Sequence, residues 1–310
     1  MGSAEFDILG IGVIAVDDTL YVEHYPLPDQ KAGIRRESRG LGGLVATALA
    51  AASRVGARCA YAALLGQDEL SSVARAGLIE AGVDCRLVRS HAGAGPVHSV
   101  IIIDESAKTR NVFFNLGRMM KLPADEAGED LVASARVLLV DQYAPEAMIR
   151  AGLCARRLDI PVVMDLEQID APCMEEMMSV AGHLLVPYDF AAAYTGLTDP
   201  AEAARELYCR HPRACTAVTC GKSGCYFVDG ETYRPRHMPS PVVKTMDTTG
   251  CGDVFHGGYA AALAAGKSVV ECLRFASAAA AAFAARPSGW QHLPSLSDVN
   301  SLRQDNLENS

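Results

Sequence analysis

The feature that most constrains this chain is a regular alternation of short apolar runs and helical segments from Val137 onward. Val137 to Val140, Pro161 to Asp165, Leu184 to Val186 and Ala217 to Thr219 read as strands. Between them, Pro145 to Arg157, Met174 to Val180 and a segment around Asp199 to Tyr208 read as helices. Runs that stay apolar without polar alternation suit strands buried on both faces. Strands joined through helices form βαβ units, so the pattern predicts an α/β fold with a mostly parallel sheet covered on both sides. Half of the 310 residues are apolar, enough for a sizeable core, and abundant Ala and Gly suit tight helix–sheet layers. Ligands in such sheets sit beyond the carboxyl ends of the strands. The places to search are therefore Asp17, Asp141, Asp165, Gly221 and the loop before Val254.

The flanking segments fill in the expectation. Asp7 to Val16 reads as one buried strand with Asp17 and Asp18 at its carboxyl end. Gly40 to Gly43 reads as a glycine turn opening a helix over Leu44 to Val55. Cys59 to Leu65 reads as a strand and Leu70 to Ala81 as a helix. Val97 to Asp104 and Arg110 to Asn115 read as a hairpin around the polar loop Glu105 to Lys108. Met1 to Phe6 is no signal peptide and is set aside from fold reasoning. The stretch after Pro294 is polar and reads as a loosely held tail.

Charge and cysteine usage exclude several functions. A net charge of −9 argues against nucleic acid, and the nearest basic group (Lys31, Arg35, Arg36, Arg39) is diluted by acidic neighbours. No segment reaches the roughly 20 apolar residues of a membrane span. The ten cysteines form no CxxC pair, so they read as reduced thiols of a cytoplasmic protein. The histidines show no metal-like spacing, and His256 reads as a packing residue.

The most informative stretch is Asp247-Thr248-Thr249-Gly250-Cys251-Gly252-Asp253-Val254-Phe255-His256-Gly257-Gly258, followed by an Ala-rich helix. Amides of Gly250, Cys251 and Gly252 at a helix start would be donors for an anion, aided by the helix dipole. Asp253 beside them has two readings. It is a base taking a proton from a hydroxyl that attacks a held phosphoryl group, or an acidic residue favoured there by the dipole alone.

This stretch resembles the DTTGAGD signature of the PfkB (ribokinase-like) carbohydrate kinases, with Cys251 in place of Ala. Gly42-Gly43-Leu44-Val45-Ala46-Thr47-Ala48 resembles the family's GG-x-x-x-N-x-A sugar turn, with Thr47 for Asn. Asp17 falls where the family's sugar-contacting Asp lies. Val218-Thr219-Cys220-Gly221-Lys222-Ser223-Gly224 resembles the nucleotide-side T-x-G-x-x-G turn. The motifs occur in family order between about Asp7 and Pro294.

The resemblance implies a ribokinase-like three-layer α/β/α sandwich spanning 7–294, with a small β-sheet lid near 31–40 and 96–115 that serves homodimer contacts. It implies an ATP-dependent sugar kinase acting with magnesium and potassium. Asp253 would be the base, with the Gly250, Cys251 and Gly252 amides stabilising charge. Asp17, Gly42, Gly43, Thr47 and Asn115 would contact the sugar. Thr219, Gly221, Gly224, Thr248 and Ser277, near a helix start, would contact the nucleotide, and Asp247 with the Thr249 backbone would hold potassium. Similarity around Asp247 to Gly258 and Arg274-Phe275-Ala276 points to ketohexose-type members acting on a primary hydroxyl. Pro187-Tyr188-Asp189-Phe190 stands where many members carry a metal-organising N-x-x-E. A thiolate at Cys251, that close to the anion site, would be electrostatically favoured, so the residue is expected to be sensitive to alkylation. Two alternatives stay open, a nucleoside kinase of the same fold and a catalytically weak sugar-binding or regulatory protein. A Rossmann oxidoreductase, suggested by Gly10-Ile11-Gly12, lacks the third glycine.

Overall fold

The computed structural model describes residues 4–308. The chain begins with β1 (Phe6–Ile11), β2 (Ala15–Val22), β3 (Ile34–Gly42), α1 (Leu44–Arg54), β4 (Cys59–Tyr61), β5 (Ala63–Leu65), α2 (Glu69–Glu80), β6 (Val83–Asp84) and β7 (Val88–Ser90). A hairpin follows, β8 (Val97–Asp104) and β9 (Thr109–Asn115). The second half runs α3 (Glu129–Val132), β10 (Ala135–Val140), α4 (Pro145–Arg157), β11 (Val162–Asp165), α5 (Met174–Val180), β12 (His183–Pro187), α6 (Tyr188–Thr195), α7 (Pro200–Arg210) and β13 (Cys215–Thr219). It closes with β14 (Cys225–Asp229), β15 (Arg236–Met238), α8 (Cys251–Ala264), α9 (Val269–Ala284) and α10 (Leu296–Glu308).

Among the described residues, nine strands form the main sheet in the order β15-β14-β13-β12-β11-β10-β1-β4-β6. Pairings from β6 through β13 are parallel, and β14 and β15 add antiparallel at one edge. Because strand side chains alternate, the sheet feeds two cores. Ile8, Val137 and Leu139 face α1, α8 and α9, whereas Leu9, Leu138 and Val140 face α4 to α7. Chain order reverses between β1 and β10, which opens a crevice at their carboxyl ends.

A second sheet, β3-β2-β8-β9, stands apart as the lid. Within it β2 and β8 are parallel, and the outer pairs are antiparallel. Two expectations change here. The run read as one strand breaks at Gly12, and Asp17 lies inside lid strand β2 rather than at the end of a main-sheet strand. A Cβ on Gly12 would lie 2.3 Å from Asp141 Oδ2 and 2.5 Å from Val45 Cγ2, so the chain passes there only as glycine. The lid therefore has four strands, β2 included.

Other boundaries also move. Phe6 belongs to β1 and is buried, while Met1 to Ser3 lie outside the described residues. The segment 59–65 is two short strands in different sheets. The stretch after Pro294 is not a loose tail through residue 308, because Val299 of α10 is buried against the α9 core; residues 309–310 lie outside the description. Ser277 sits mid-helix in α9, which starts at Val269, capped by Ser268 and Glu271 as a capping box.

Gly12→Ala is expected to cost about 1–3 kcal/mol, as overpacking of a filled site does. The check is a lowered denaturant midpoint at unchanged slope.

Candidate active site

The site assembles where β1, β10, β11, β12 and β13 end. The first anchor is Asp141, just past β10 and fully buried. Its Oδ2 accepts from the Val13 N–H at 2.7 Å and its Oδ1 from the Tyr143 N–H at 2.9 Å. Burial pushes its carboxyl up to about 7, against the pull of these amides. Asp141 thus pins the segment that carries the chain from β1 into the lid.

The second anchor is the Gly42-Gly43 turn between β3 and α1. Gly43 has φ +93°, and a Cβ there would lie 2.6 Å from the Val13 carbonyl oxygen. A Cβ on Gly42 would come within 2.5 Å of Asp17 Oδ2, so glycine makes room for that carboxylate. Burial raises the Asp17 carboxyl and Asp18 adds to it, while a Ser99 hydrogen bond and His98 oppose. Thr47 is buried, and its Oγ1 accepts from the Trp290 indole N–H at 3.0 Å. The hydroxyl expected to serve a sugar is thus already engaged as an acceptor.

The loop before α8 has the predicted form with one correction. Gly250, at φ +81° and without a side-chain cap, ends the loop, and Asp253 sits in the first turn. The Cys251 N–H, expected to be a free donor, instead closes the turn onto the Thr248 carbonyl at 3.2 Å. The Gly250 and Gly252 amides have no acceptor among the described residues. Side-chain caps are present on α2, α7 and α9, whereas α1, α3, α4, α5 and α6 lack one as α8 does. Two open amides at an uncapped, dipole-positive end suit an incoming anion. The expected reactivity of Cys251 is also overturned. Burial, then Asp247 and Asp253, push its thiol up to about 11, so it is a thiol rather than a thiolate.

Asp253 is partly exposed at the floor of this cleft. Burial first, then Asp165, Glu167, Asp141 and Asp17, hold its carboxyl well above the ordinary carboxylate range. Such a group is poised as a base nearer neutrality than a solvated aspartate. Asp247 behaves oppositely. Burial raises it, but the Thr249 N–H at 2.8 Å, Ser288, the Thr249 side chain and Arg110 more than offset that and keep it ionised.

On the far side, the turn after β13 brings Thr219, Gly221 and Gly224 to the same sheet end. Gly221 is exposed at φ +55°, and Gly224 at φ +87° passes so close to β15 that a Cβ would meet the Met238 carbonyl at 2.0 Å. Ser277 is 5% exposed within α9, which corrects its expected place at a helix start. Asn115, exposed at the end of β9, accepts the Gly117 N–H at 2.8 Å. Arg118 is tied to Asp68 at 3.0 Å. In the N-x-x-E region, Phe190 is a core side chain and Asp189 an exposed residue in the first turn of α6.

Three residues escaped the sequence reading. Arg110 on lid strand β9 donates from Nη1 to Thr249 Oγ1 at 2.6 Å, so the lid touches the anion loop. Glu167, two residues past the flagged Asp165, adds charge to the cleft. Trp290 meets Thr47 across 243 positions. Only the first two had a signal, an arginine on a recognised lid strand and an acid at a recognised strand end.

Comparison with known proteins agrees with this geometry. Residues 7–295 match the profile described as pfkB family carbohydrate kinase. The chain is 24% identical over 280 residues to a ribokinase of Arabidopsis thaliana, covering 87% of this chain and 74% of that one. It is 25% identical over 282 residues to a ketohexokinase of Mus musculus, covering 87% and 93%. It is 24% identical over 293 residues to a nucleoside kinase of Methanothermobacter thermautotrophicus, covering 90% and 89%. The fold is similar to that of Arabidopsis thaliana ribokinase complexed with ribose and ATP, with a TM-score of 0.85, 21% identity and coverage of 96% and 99%.

Removing one neighbouring charge should move the acid limb of the pH–rate profile. Glu167→Gln lowers the Asp253 pKa, so the limb shifts to lower pH, as read from kcat/KM against pH.

Proposed function

The chain belongs to the pfkB family of carbohydrate kinases, and from that premise we propose that it transfers the γ-phosphoryl group of ATP to a primary hydroxyl of a ketohexose-like sugar. Its members are phosphotransferases with an alcohol acceptor. The observation that carries the reading is the pairing of Asp253 with the open Gly250 and Gly252 amides in the first turn of α8. A base and an anion site lie side by side, which is the arrangement phosphoryl transfer needs.

The kinase unit spans residues 7–294 in this reading, and the sugar lies between lid and main sheet. Asp17, Gly42, Gly43, Thr47 and Asn115 border it, the last from β9. ATP follows Thr219, Gly221 and Gly224 to the loop, with Thr248 and Ser277 completing its side. Asp253 accepts the hydroxyl proton as the oxygen attacks the γ-phosphorus. The Gly250 and Gly252 amides stabilise the developing charge, while the Cys251 amide braces the turn.

Among the described residues no group of three or more His, Cys, Asp or Glu forms a cation cage. This fits magnesium arriving on the ATP phosphates with most of its waters, where it neutralises phosphate charge. The Asp247 carboxylate and the Thr249 carbonyl are hard oxygen donors that fit potassium. On lid edge strand β9, Val112, Phe113 and Phe114 are each at least 49% exposed, with Val112 and Phe114 on one face. An exposed apolar edge strand of that kind fits a second copy of the chain. No helix among the described residues is long and apolar enough to cross a membrane, and the reduced cysteines fit a cytoplasmic enzyme.

ADP release with ATP and magnesium is expected with a ketohexose and to exceed that with ribose or nucleosides. Asp253→Asn should lower kcat about 10²–10⁴-fold, the usual contribution of a general base. Turnover retained in the variant contradicts the role of Asp253; preference for ribose or a nucleoside contradicts the substrate class. Phe114→Asp should shift the sedimentation of a dimer toward that of a monomer.

A further inference from the structure

Beneath the anion loop lies a histidine that phosphoryl transfer does not itself require. His256, on α8, is 4% exposed. Its Nδ1 lies 2.8 Å from the Gly252 carbonyl oxygen, and its Nε2 lies 2.9 Å from the Leu185 carbonyl oxygen on β12. The Asp165 carboxylate at the end of β11 is 3.3 Å from the same Nδ1. All three neighbours are oxygens that ordinarily accept.

A neutral imidazole has one N–H and one bare nitrogen. Whichever nitrogen is bare would aim its lone pair at a carbonyl oxygen, in a buried place where that repulsion is weakly screened. An imidazolium donates from both nitrogens and satisfies both carbonyls. Burial outweighs the Leu185 and Gly252 carbonyls and Glu167 and lowers the proton affinity of the ring. Against that stands the geometry, in which only an imidazolium donates to both short contacts.

The surroundings agree. Asp253 and Tyr259 lie on the same helix, Asp165 faces the ring from β11, and Glu167 acts on it from the loop after β11. From β12 comes the Leu185 carbonyl, while His183 bonds Tyr259 Oη at 2.9 Å instead. Asp165 is 2% exposed, and its Oδ1 has no partner among the described residues. Burial first and then Glu167 hold the Asp165 carboxyl well above the ordinary carboxylate range, and a cation beside its other oxygen is what would keep it ionised there.

Building on the kinase reading, we propose that His256 is a buried imidazolium that acts as a positioning residue for phosphoryl transfer, neutralising Asp165 and holding the Gly252 carbonyl so that the anion loop keeps its shape. It supplies fixed positive charge one turn behind the loop, where carboxylates crowd and a polyphosphate must bind. The sequence motif carries no such demand, because the position is simply one within a small-residue helix.

The test is nitrogen NMR of the full-length protein labelled in its histidine rings, with the His256 signals assigned by their loss in His256→Gln. Both ring nitrogens are expected to be protonated at neutral pH, above the ordinary histidine value of about 6.5. In Asp165→Asn the second proton should leave at lower pH. One bare nitrogen in the wild-type protein at neutral pH overturns the proposal. This readout needs no turnover, so it stands or falls separately from the kinase reading. Kinetics test the positioning role. His256→Leu should lower kcat about 10–100-fold, the range seen when a group orienting a site is removed, with little change in the KM for ATP. His256→Gln, which keeps one donor, should retain more activity. Unchanged kcat in both variants, or equal loss in both, refutes the positioning role; where the Leu variant fails to fold, the spectra and the Gln variant decide.

Discussion

One buried carboxylate holds the point on which the two sheets depend. Asp141 accepts from Val13 and Tyr143 where the chain leaves β1 for the lid. Without those bonds the buried Val13 amide would lack an acceptor, at a cost of about 1–3 kcal/mol, and the half-buried Tyr143 amide would lose its partner as well. Because they are made, the chain leaves the main sheet at a fixed place and β2 begins on register beside β3 and β8. Asp17 and the Gly42-Gly43 turn then meet at the cleft, and α1 starts from that turn. The half of the site proposed to face the sugar is thus a consequence of a turn buried at the switch point.

The phosphate-facing half is organised by charge. Asp253 is surrounded by Asp165, Glu167, Asp141 and Asp17, each disfavouring its ionised form. Such crowding raises its proton affinity into a range useful to a base. It also makes a tetra-anionic nucleotide harder to accommodate, which open amides, a helix dipole and a buried imidazolium counteract. A capping side chain on α8 would occupy the donors that an anion needs.

Much of this was legible in the residues because local chemistry and global topology agree. The apolar runs from Val137 onward became β10 to β13, and the loop from Asp247 to Gly258 became the start of α8. What was hidden depends on neighbours distant in sequence. Nothing near Gly12 announces that a side chain there would strike Asp141, so β1 and β2 merged into one strand. Only the fold reveals Trp290 against the Thr47 hydroxyl, which accepts the indole N–H and keeps its own proton to donate. Cys251 looked activated by its helix terminus, but burial and two carboxylates decide its thiol. Ser277 was misplaced because an Ala-rich run gives no sign of where its helix starts, while the cap at Ser268 lies nine residues earlier. The strand after β13 and its edge partner were missed because their short runs lack strong periodicity.

The contact from Arg110 to Thr249 has a thermodynamic side. It joins the lid, proposed to border the sugar, to the loop proposed to border the phosphates. A ligand that fixes the lid presents the guanidinium to the loop in advance, and a ligand at the loop helps to fix the lid. The two occupancies therefore share one free energy of linkage. Whatever factor the sugar adds to nucleotide affinity, the nucleotide must return in full to the sugar.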